Sequence, residues 1–216
     1  ADLMVFTGDV QNIRPQEIFP HTDLLRSTTQ GMVSVLGNHD YASYAKDTHE
    51  AQDRLLRLLV ETEQNALGWR LLRNEHLVIR RGGDSLVVAG TENDGEPPFP
   101  NLADTRKSLE GVRPGAFVVM LQHDPSAWRR DILPKITAQL TLSGHTHGGQ
   151  MQFFGHRPTQ WRGRPDKGLY KQQGRYLYVN AGLGGLVPFR LNMPNEITVI
   201  TLRTKRRPAD PVAKDN

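Results

Sequence analysis

Residues 143–149, with the sequence SGHTHGG, directly follow the apolar run LTL at residues 140–142. Residues two apart on an extended segment point to the same side, so His145 and His147 can direct both imidazoles at one point. The glycines on either side let the backbone turn sharply and come close to whatever the imidazoles hold. By itself a histidine pair in a loop is more often solvated or hydrogen-bonded, so a metal site here needs further support.

Three other apolar runs end in similar side chains. Residues 2–6, 32–36 and 117–121 are predicted to be buried strands. They are followed by Asp9, by Asn38, His39 and Asp40, and by His123, respectively. Ligands of open α/β sheets bind outside the carboxyl ends of the strands, so the four groups of polar residues can converge on one site. Strands often run into polar loops, but chance does not predict a shared preference for Asp, Asn and His.

The composition limits the chemistry of such a site. The chain has 216 residues, 37% of them hydrophobic and 23% charged, which is typical of a soluble globular protein with a sizeable core. It has no cysteine, which excludes thiolate zinc sites and thiol nucleophiles. The sequence also lacks the Gly-x-Ser-x-Gly and Gly-Lys-Ser/Thr motifs of serine hydrolases and P-loop enzymes.

The remaining patterns indicate the organisation of the chain. Helices are predicted at 23–30, 47–65 and 102–109, a hairpin at 77–80 and 85–89, and strands at 176–179 and 197–202. Strands that alternate with helices predict a layered α/β fold, to which the hairpins add antiparallel strands. In the absence of repeats or linkers we expect residues 1–216 to form one domain, with 203–216 as a flexible tail. Because the chain opens within a predicted strand, we also expect it to be part of a longer protein.

The candidate side chains suit divalent metal ions. Carboxylate, amide and imidazole groups bind manganese, iron or zinc, and a carboxylate such as Asp9 can bridge two ions. Two ions roughly 3.5–4 Å apart can clamp a phosphoryl group and activate water. His39 is a candidate proton donor to a leaving oxygen, and Asp40 is a candidate to orient its ring.

Several motifs together resemble a known family. Gly8-Asp9, the block GNHD at 37–40, His123 and the block GHTH at 144–147 are similar in order and spacing to the calcineurin-like metallophosphoesterase superfamily. The stretch LSGHTHGGQ at 142–150, and residues 182–197, resemble its bacterial, often membrane-associated branch. The resemblance covers nearly the whole chain and implies a layered β-sandwich of mixed sheets flanked by helices.

The resemblance also implies roles for the candidate residues. Asp9 would bridge two divalent ions, with Asn38, His123 and His145 completing one site and His147 joining Asp9 at the other. His39 would contact the substrate phosphate or protonate the leaving group. The family begins with an Asp-x-His block on an earlier strand, which this sequence does not contain. We therefore expect a first strand in the intact protein, although binding of a single ion is the alternative.

The function predicted on these grounds is metal-dependent hydrolysis of phosphoesters, with a preference for diester or pyrophosphate bonds that rests on the branch resemblance. The alternative is a non-catalytic scaffold with the same fold. A nuclease is disfavoured because no basic stripe is interleaved with aromatic residues. No protein partner can be inferred from the sequence.

A membrane surface is the second candidate partner. The net charge of +4 mildly favours anionic partners, and the branch resemblance implies a membrane-associated or exported bacterial protein. The tail residues Arg203, Lys205, Arg206 and Arg207 are the candidates for contact with acidic lipid. A solvated basic loop is predicted at 157–167, and the alternative is that its basic side chains, Arg157, Arg162, Arg164 and Lys167, meet a phosphate or an anionic head group. His21, His49, His76 and His156 have no partner at ligand spacing.

Overall fold

The computed structural model describes residues 1–204, whose strands form two sheets. The smaller sheet contains β1 (Val5–Phe6), β2 (Val33–Ser34) and β3 (Arg70–Leu71), all parallel and in the order β1-β2-β3. Val33 pairs with Val5 on one side and with Arg70 on the other. Each strand is only two residues long, so this sheet is stabilised mainly by what packs on its two faces.

The larger sheet has six strands in the order β4-β5-β6-β7-β9-β8. They are β4 (Glu75–Arg81), β5 (Asp84–Gly90), β6 (Phe117–Leu121), β7 (Leu140–Ser143), β8 (Gly168–Gln172) and β9 (Arg175–Val179). The four central strands are parallel, and an antiparallel hairpin forms each edge. The central strands β6 and β7 therefore open toward the same edge of the sheet.

Helices cover the outer sides of the sheets. They are α1 (Thr22–Thr29), α2 (His49–Glu61) and the short α3 (Leu133–Lys135). Thr48 caps α2 by accepting a hydrogen bond from the Ala51 amide, and a π-helical turn, Thr62–Ala66, continues it. Another π-helical turn, Trp128–Ile132, leads into α3. The helices predicted at 23–30 and 47–65 are confirmed, as is the hairpin.

Three apolar clusters follow from the alternation of side chains along the strands. The middle cluster contains Val33, Val35, Leu72, Val88, Val119, Leu121 and Leu140, which come from both sheets. A second cluster joins α2, through Leu59, to Trp69 and Leu71 of the smaller sheet. A third places Trp128 and Ile132 against Met120 of the larger sheet. The fold is therefore a layered sandwich of two sheets flanked by helices, as the sequence predicts.

Two predicted elements are wrong. Residues 197–202 form no strand in the part of the chain that the structure describes, and Ile197 and Val199 are about four-fifths exposed. The apolar residues at these positions do not by themselves produce a strand, because the backbone N–H and C=O groups of a strand must also form hydrogen bonds with a neighbouring strand. The helix predicted at 102–109 is reduced to the 3₁₀ turn Lys107–Leu109. Most of the predicted tail, residues 205–216, lies outside the described residues.

Within residues 1–204, every helix is too short or too polar to cross a lipid bilayer.

Candidate metal centre

Four polar side chains from the ends of four strands meet between the sheets. The ligand atoms of Asp9, His123 and His145 all lie within 4.8 Å of one another. Asp9 Oδ2 is 3.0 Å from His123 Nε2, which is 3.1 Å from His145 Nδ1. Asn38 Oδ1 lies 2.8 Å from that same His145 atom and 3.1 Å from His123 Nε2. Two imidazole nitrogens and two oxygens thus face a common point, a donor set that fits a divalent metal ion.

Two glycines allow this convergence. Asp9 follows β1 with a left-handed backbone, φ 62°, directly after Gly8 at φ 96°. A Cβ at Gly8 would lie 2.4 Å from the Gly37 nitrogen, and one at Gly37 would lie 2.2 Å from Asp9 Oδ1 and 2.7 Å from His123 Cε1. The loops after β1 and β2 can approach one another only because these two positions lack side chains.

The buried Asp40 carboxylate fastens the same two loops. It accepts hydrogen bonds from the amides of Asp9 (2.7 Å), Val10 (3.1 Å) and Gly37 (2.8 Å). Burial, together with the nearby charge of Asp9, raises the pKa of Asp40 to about 7. Asp40 therefore positions the backbone that carries Asp9.

The predicted contact between Asp40 and the His39 ring is wrong. His39 Nδ1 instead lies 2.6 Å from the carbonyl oxygen of Asn12. The ring stacks on Tyr44, with 4.2 Å between the ring centroids. The Asp40 carboxylate is committed to backbone amides, because these donors satisfy a buried carboxylate better than one imidazole could.

The ionisation states of Asp9, His123 and His145 are consistent with a site that binds a cation. Burial opposes ionisation, but the positive charge of His123 lowers the pKa of Asp9 to about 2. Conversely, burial disfavours a charged imidazole, yet the Asp9 carboxylate raises the pKa of His123 to about 9. Burial and the His123 charge lower the pKa of His145 to about 4. Asp9 is thus anionic at neutral pH and holds a proton on His123 at the position where a metal ion would supply positive charge.

A backbone carbonyl behind His123 fixes the orientation of its ring. Its Nδ1 donates to the Thr7 carbonyl oxygen at 2.6 Å, so Nε2 is the nitrogen that faces Asp9 and Asn38. Asn38 is held in turn by a hydrogen bond of 3.0 Å from its Nδ2 to the Tyr44 hydroxyl. The sequence does not reveal these roles of Thr7 and Tyr44. Any residue can supply a backbone carbonyl oxygen, so Thr7 has no recognisable motif. A single tyrosine in a turn likewise gives no signal for a contact with Asn38.

His147 is not a member of the close group that the described residues form. It has a left-handed backbone, φ 52°, in the turn His147–Gly149. Burial lowers its pKa, while the Asp9 charge acts in the opposite direction. His147 is therefore within electrostatic range of Asp9 and borders the centre.

The basic stretch after the centre is solvated only in part: Arg164 is exposed as predicted, whereas Arg157 is held by a buried carboxylate. Asp166 is buried and accepts from Arg157 Nε (2.8 Å), Arg157 Nη2 (3.0 Å) and Thr159 Oγ1 (2.6 Å). The backbone oxygen of Asp166 accepts from the Thr146 hydroxyl, which ties this stretch to the His145–His147 turn. A buried carboxylate needs such partners, and they come from residues that the sequence pattern does not link.

Comparisons with known proteins give the centre its context. The chain is 30% identical over 216 residues to the uncharacterized metallophosphoesterase YkuE of Bacillus subtilis, covering 94% of this chain and 68% of that protein. It is 26% identical to the UDP-2,3-diacylglucosamine pyrophosphatase LpxG of Chlamydia trachomatis, over 92% of this chain and 73% of that one.

Among solved structures, the chain resembles the Thermus thermophilus sulfate thiohydrolase SoxB with a TM-score of 0.50 and 16% identity. The match covers 82% of this chain and 33% of that one, and it supports the fold alone. No protein-family model matches the chain.

Proposed function

Because the chain belongs to the metallophosphoesterase family, whose members are metal-dependent phosphoester hydrolases, we propose that it cleaves phosphodiester or pyrophosphate bonds with two divalent ions. The observation that carries this proposal is the meeting of Asp9, Asn38, His123 and His145 at one point. The relative named as a pyrophosphatase supports the preference for that bond. Manganese, iron and zinc are the ions that suit the donors.

Each residue has a separate task in this proposal. Asn38, His123 and His145 would hold one ion, and His147 would help to hold the second, with Asp9 contributing to both. When bound, the ions would supply Lewis acidity that activates water and neutralises charge on the phosphoryl group. The chain itself fixes the ligand atoms, through Thr7 behind His123 and the Asp40 carboxylate behind Asp9.

His39 is the proposed proton donor. Its Nδ1 is engaged by the Asn12 carbonyl oxygen, so Nε2 is the atom left to face a substrate. Stacking on Tyr44 fixes the plane of the ring. A protonated imidazole held in this way can bind the phosphate and then transfer the Nε2 proton to the leaving oxygen.

The experiment combines metal analysis with turnover. We expect two manganese ions per chain by elemental analysis after purification without chelator, and manganese-dependent hydrolysis of bis(p-nitrophenyl) phosphate. Asn38→Ala and His123→Ala should reduce turnover by at least about a thousandfold, since metal ligands supply several kcal/mol of transition-state stabilisation. The exposed His21→Ala is the matched control and should keep full activity.

A folded protein that binds no metal after reloading, or ligand variants with unchanged turnover, would contradict the proposal. The first result would favour a non-catalytic scaffold with the same fold.

A further inference from the structure

A group of large apolar side chains is exposed on two loops beside the candidate metal centre. Phe154 is fully exposed, Trp161 is 82% exposed and Leu186 is 78% exposed. We call the following residues the apolar rim: Phe153, Phe154, Trp161, Leu183, Leu186 and Phe189. Single exposed apolar residues are ordinary, but several on two neighbouring loops mark an interaction site, and Phe153, Phe154 and Trp161 line one groove.

The two loops of the rim are bonded into one surface. The buried Gln150 donates from Nε2 to the carbonyl oxygens of Val187 (2.9 Å) and Phe189 (2.8 Å), and its Oε1 accepts from the Val187 amide (3.1 Å). Next to it, Met151 pairs with Leu191 as a β-bridge. The bases of the two loops are therefore held together without a partner, which lowers the entropic cost of binding.

Aromatic side chains of the first loop also enclose a concave surface. Phe153, Phe154 and Trp161, with His156 and Pro158, line an open groove of about 400 Å³. This groove and the exposed leucines of the second loop make the rim uneven and apolar, unlike a flat polar protein surface.

The rim lies directly beside the candidate centre. Gln150 follows the turn His147–Gly149 without a gap, and the guanidinium of Arg190 contributes to lowering the pKa of His147. A Cβ at Gly149 would come within 2.9 Å of Thr159 in the first loop. The bases of both loops therefore lie beside the turn that carries His147.

The charge of this region is positive. Residues 150–191 contain seven arginines and lysines and one acidic residue. Two further carboxylates pair with the region, Glu96 with Arg164 and Glu196 with Lys167, so its formal charge is +4, the same as that of the whole chain. An apolar rim in a basic region is complementary to a partner whose surface is negatively charged and whose interior is apolar.

We propose that the apolar rim docks on an anionic lipid bilayer, with its aromatic side chains in the headgroup layer and the metal centre facing that layer. Phenylalanine, tryptophan and leucine side chains flanked by basic residues are the composition of interfacial membrane anchors. Phe154 and Trp161 could also stack on nucleic-acid bases, but the exposed Leu183 and Leu186 add aliphatic surface that base stacking does not use. Docking does not depend on the proposed catalytic mechanism, and it places membrane contact on these loops instead of the basic tail.

Tryptophan fluorescence tests the docking directly. Trp69 and Trp128 are buried, so a change in emission on mixing with vesicles reports on Trp161. With vesicles of phosphatidylcholine containing a third phosphatidylglycerol, we expect emission to shift to shorter wavelength and the protein to co-sediment. Vesicles of pure phosphatidylcholine should bind at least about tenfold less protein, because the basic region then loses its counter-charge. Equal binding to both vesicles would overturn the anionic assignment.

Variants locate the contact. Phe154→Ser with Trp161→Ser should reduce co-sedimentation by at least about tenfold, since each burial of such a side chain contributes a comparable factor. Both positions are highly exposed, so folding is preserved. The matched control is Leu24→Ser with Leu169→Ser, which removes two similarly exposed residues outside the rim and should leave binding unchanged.

A second readout separates docking from catalysis. The Phe154/Trp161 double variant should hydrolyse water-soluble bis(p-nitrophenyl) phosphate at the wild-type rate, and an inactive wild type that still binds vesicles would fault only the proposed function. Wild type that fails to bind anionic vesicles, or a double variant that binds like wild type, would overturn the docking proposal. Concentration-dependent dimerisation in sedimentation that the double variant abolishes would overturn it in favour of a second copy.

Discussion

The proton on His123 competes with a metal ion for the same nitrogen. The Asp9 carboxylate raises the pKa of His123 to about 9, and His123 in turn lowers the pKa of Asp9 to about 2. Between these values Asp9 is charged and His123 Nε2 is protonated, so binding a cation there must release one proton. His145, with its pKa lowered to about 4, is already neutral.

The affinity for manganese should therefore rise with pH up to about 9. Raising the pH lowers the cost of removing the His123 proton, so we expect about a tenfold gain per pH unit between roughly 6.5 and 8.5. Calorimetric titrations in buffers of different ionisation enthalpy measure the proton release. An affinity that stays level over this range, with no proton released, would show that His123 is not the ligand.

Asp40 should matter for stability more than an exposed carboxylate does. Asp40→Asn puts an amide NH₂ where backbone amides of Asp9, Val10 and Gly37 now donate, leaving at least one of them unpaired. We expect the free energy of unfolding to fall by about 3 kcal/mol in urea titrations. Asp47→Asn, at a carboxylate that pairs with a half-exposed Arg14, should cost less than about 1 kcal/mol. Equal losses in the two variants would contradict the role assigned to Asp40.

The sequence identifies the side chains of the centre better than their supports. Asp9, Asn38, His123 and His145 follow apolar strands, and the fold brings them together, although their role as ligands remains a prediction. The hydrogen bonds from backbone amides to Asp40 could not be predicted from the sequence. Nearly every residue has an amide N–H, and only the folded structure shows which of them reach this carboxylate.

At the scale of elements, the positions where strands end and loops begin are the features that the sequence predicts best. β1 and β2 are each only two residues long, yet their ends are placed by close backbone packing at Gly8 and Gly37. The stretch 197–202 shows the limit, since its alternating apolar residues predict a strand but cannot specify a pairing partner. Local pattern determines which segments can be extended, and tertiary contacts determine which of them pair.

Gly37→Ala tests this packing. The new Cβ would lie 2.2 Å from Asp9 Oδ1 and 2.7 Å from His123 Cε1, so Asp9 or the loop must move. We expect manganese affinity to fall by about 10- to 100-fold, as for other changes that displace a ligand without removing it. Gly83→Ala is the control, because a Cβ there meets nothing within 4 Å. Unchanged affinity in Gly37→Ala, measured by competition with a chromogenic chelator, would show that the approach of the two loops is dispensable.

At the scale of the whole molecule, the candidate centre joins the two sheets. Asp9 and Asn38 follow strands of the smaller sheet, whereas His123 and His145 follow strands of the larger one. The middle apolar cluster also connects the sheets, as does the hydrogen bond from His123 to the Thr7 carbonyl oxygen. A metal ion held by all four side chains would therefore act as a cross-link between layers, and its binding free energy would add to the stability of the folded state.

Manganese should accordingly raise the melting temperature of the wild type. At a free metal concentration 100 times the dissociation constant, linkage gives about 2.7 kcal/mol, which is about 5–10 °C for a chain of this size. His145→Ala should markedly reduce the rise, because it leaves His123 as the only one of the four proposed ligands that comes from the larger sheet. His21→Ala, an exposed histidine outside the centre, should keep the rise in full. Differential scanning calorimetry of each variant with manganese and with EDTA measures the rise in melting temperature. A rise of equal size in His145→Ala would mean that the metal binds elsewhere and does not cross-link the two sheets.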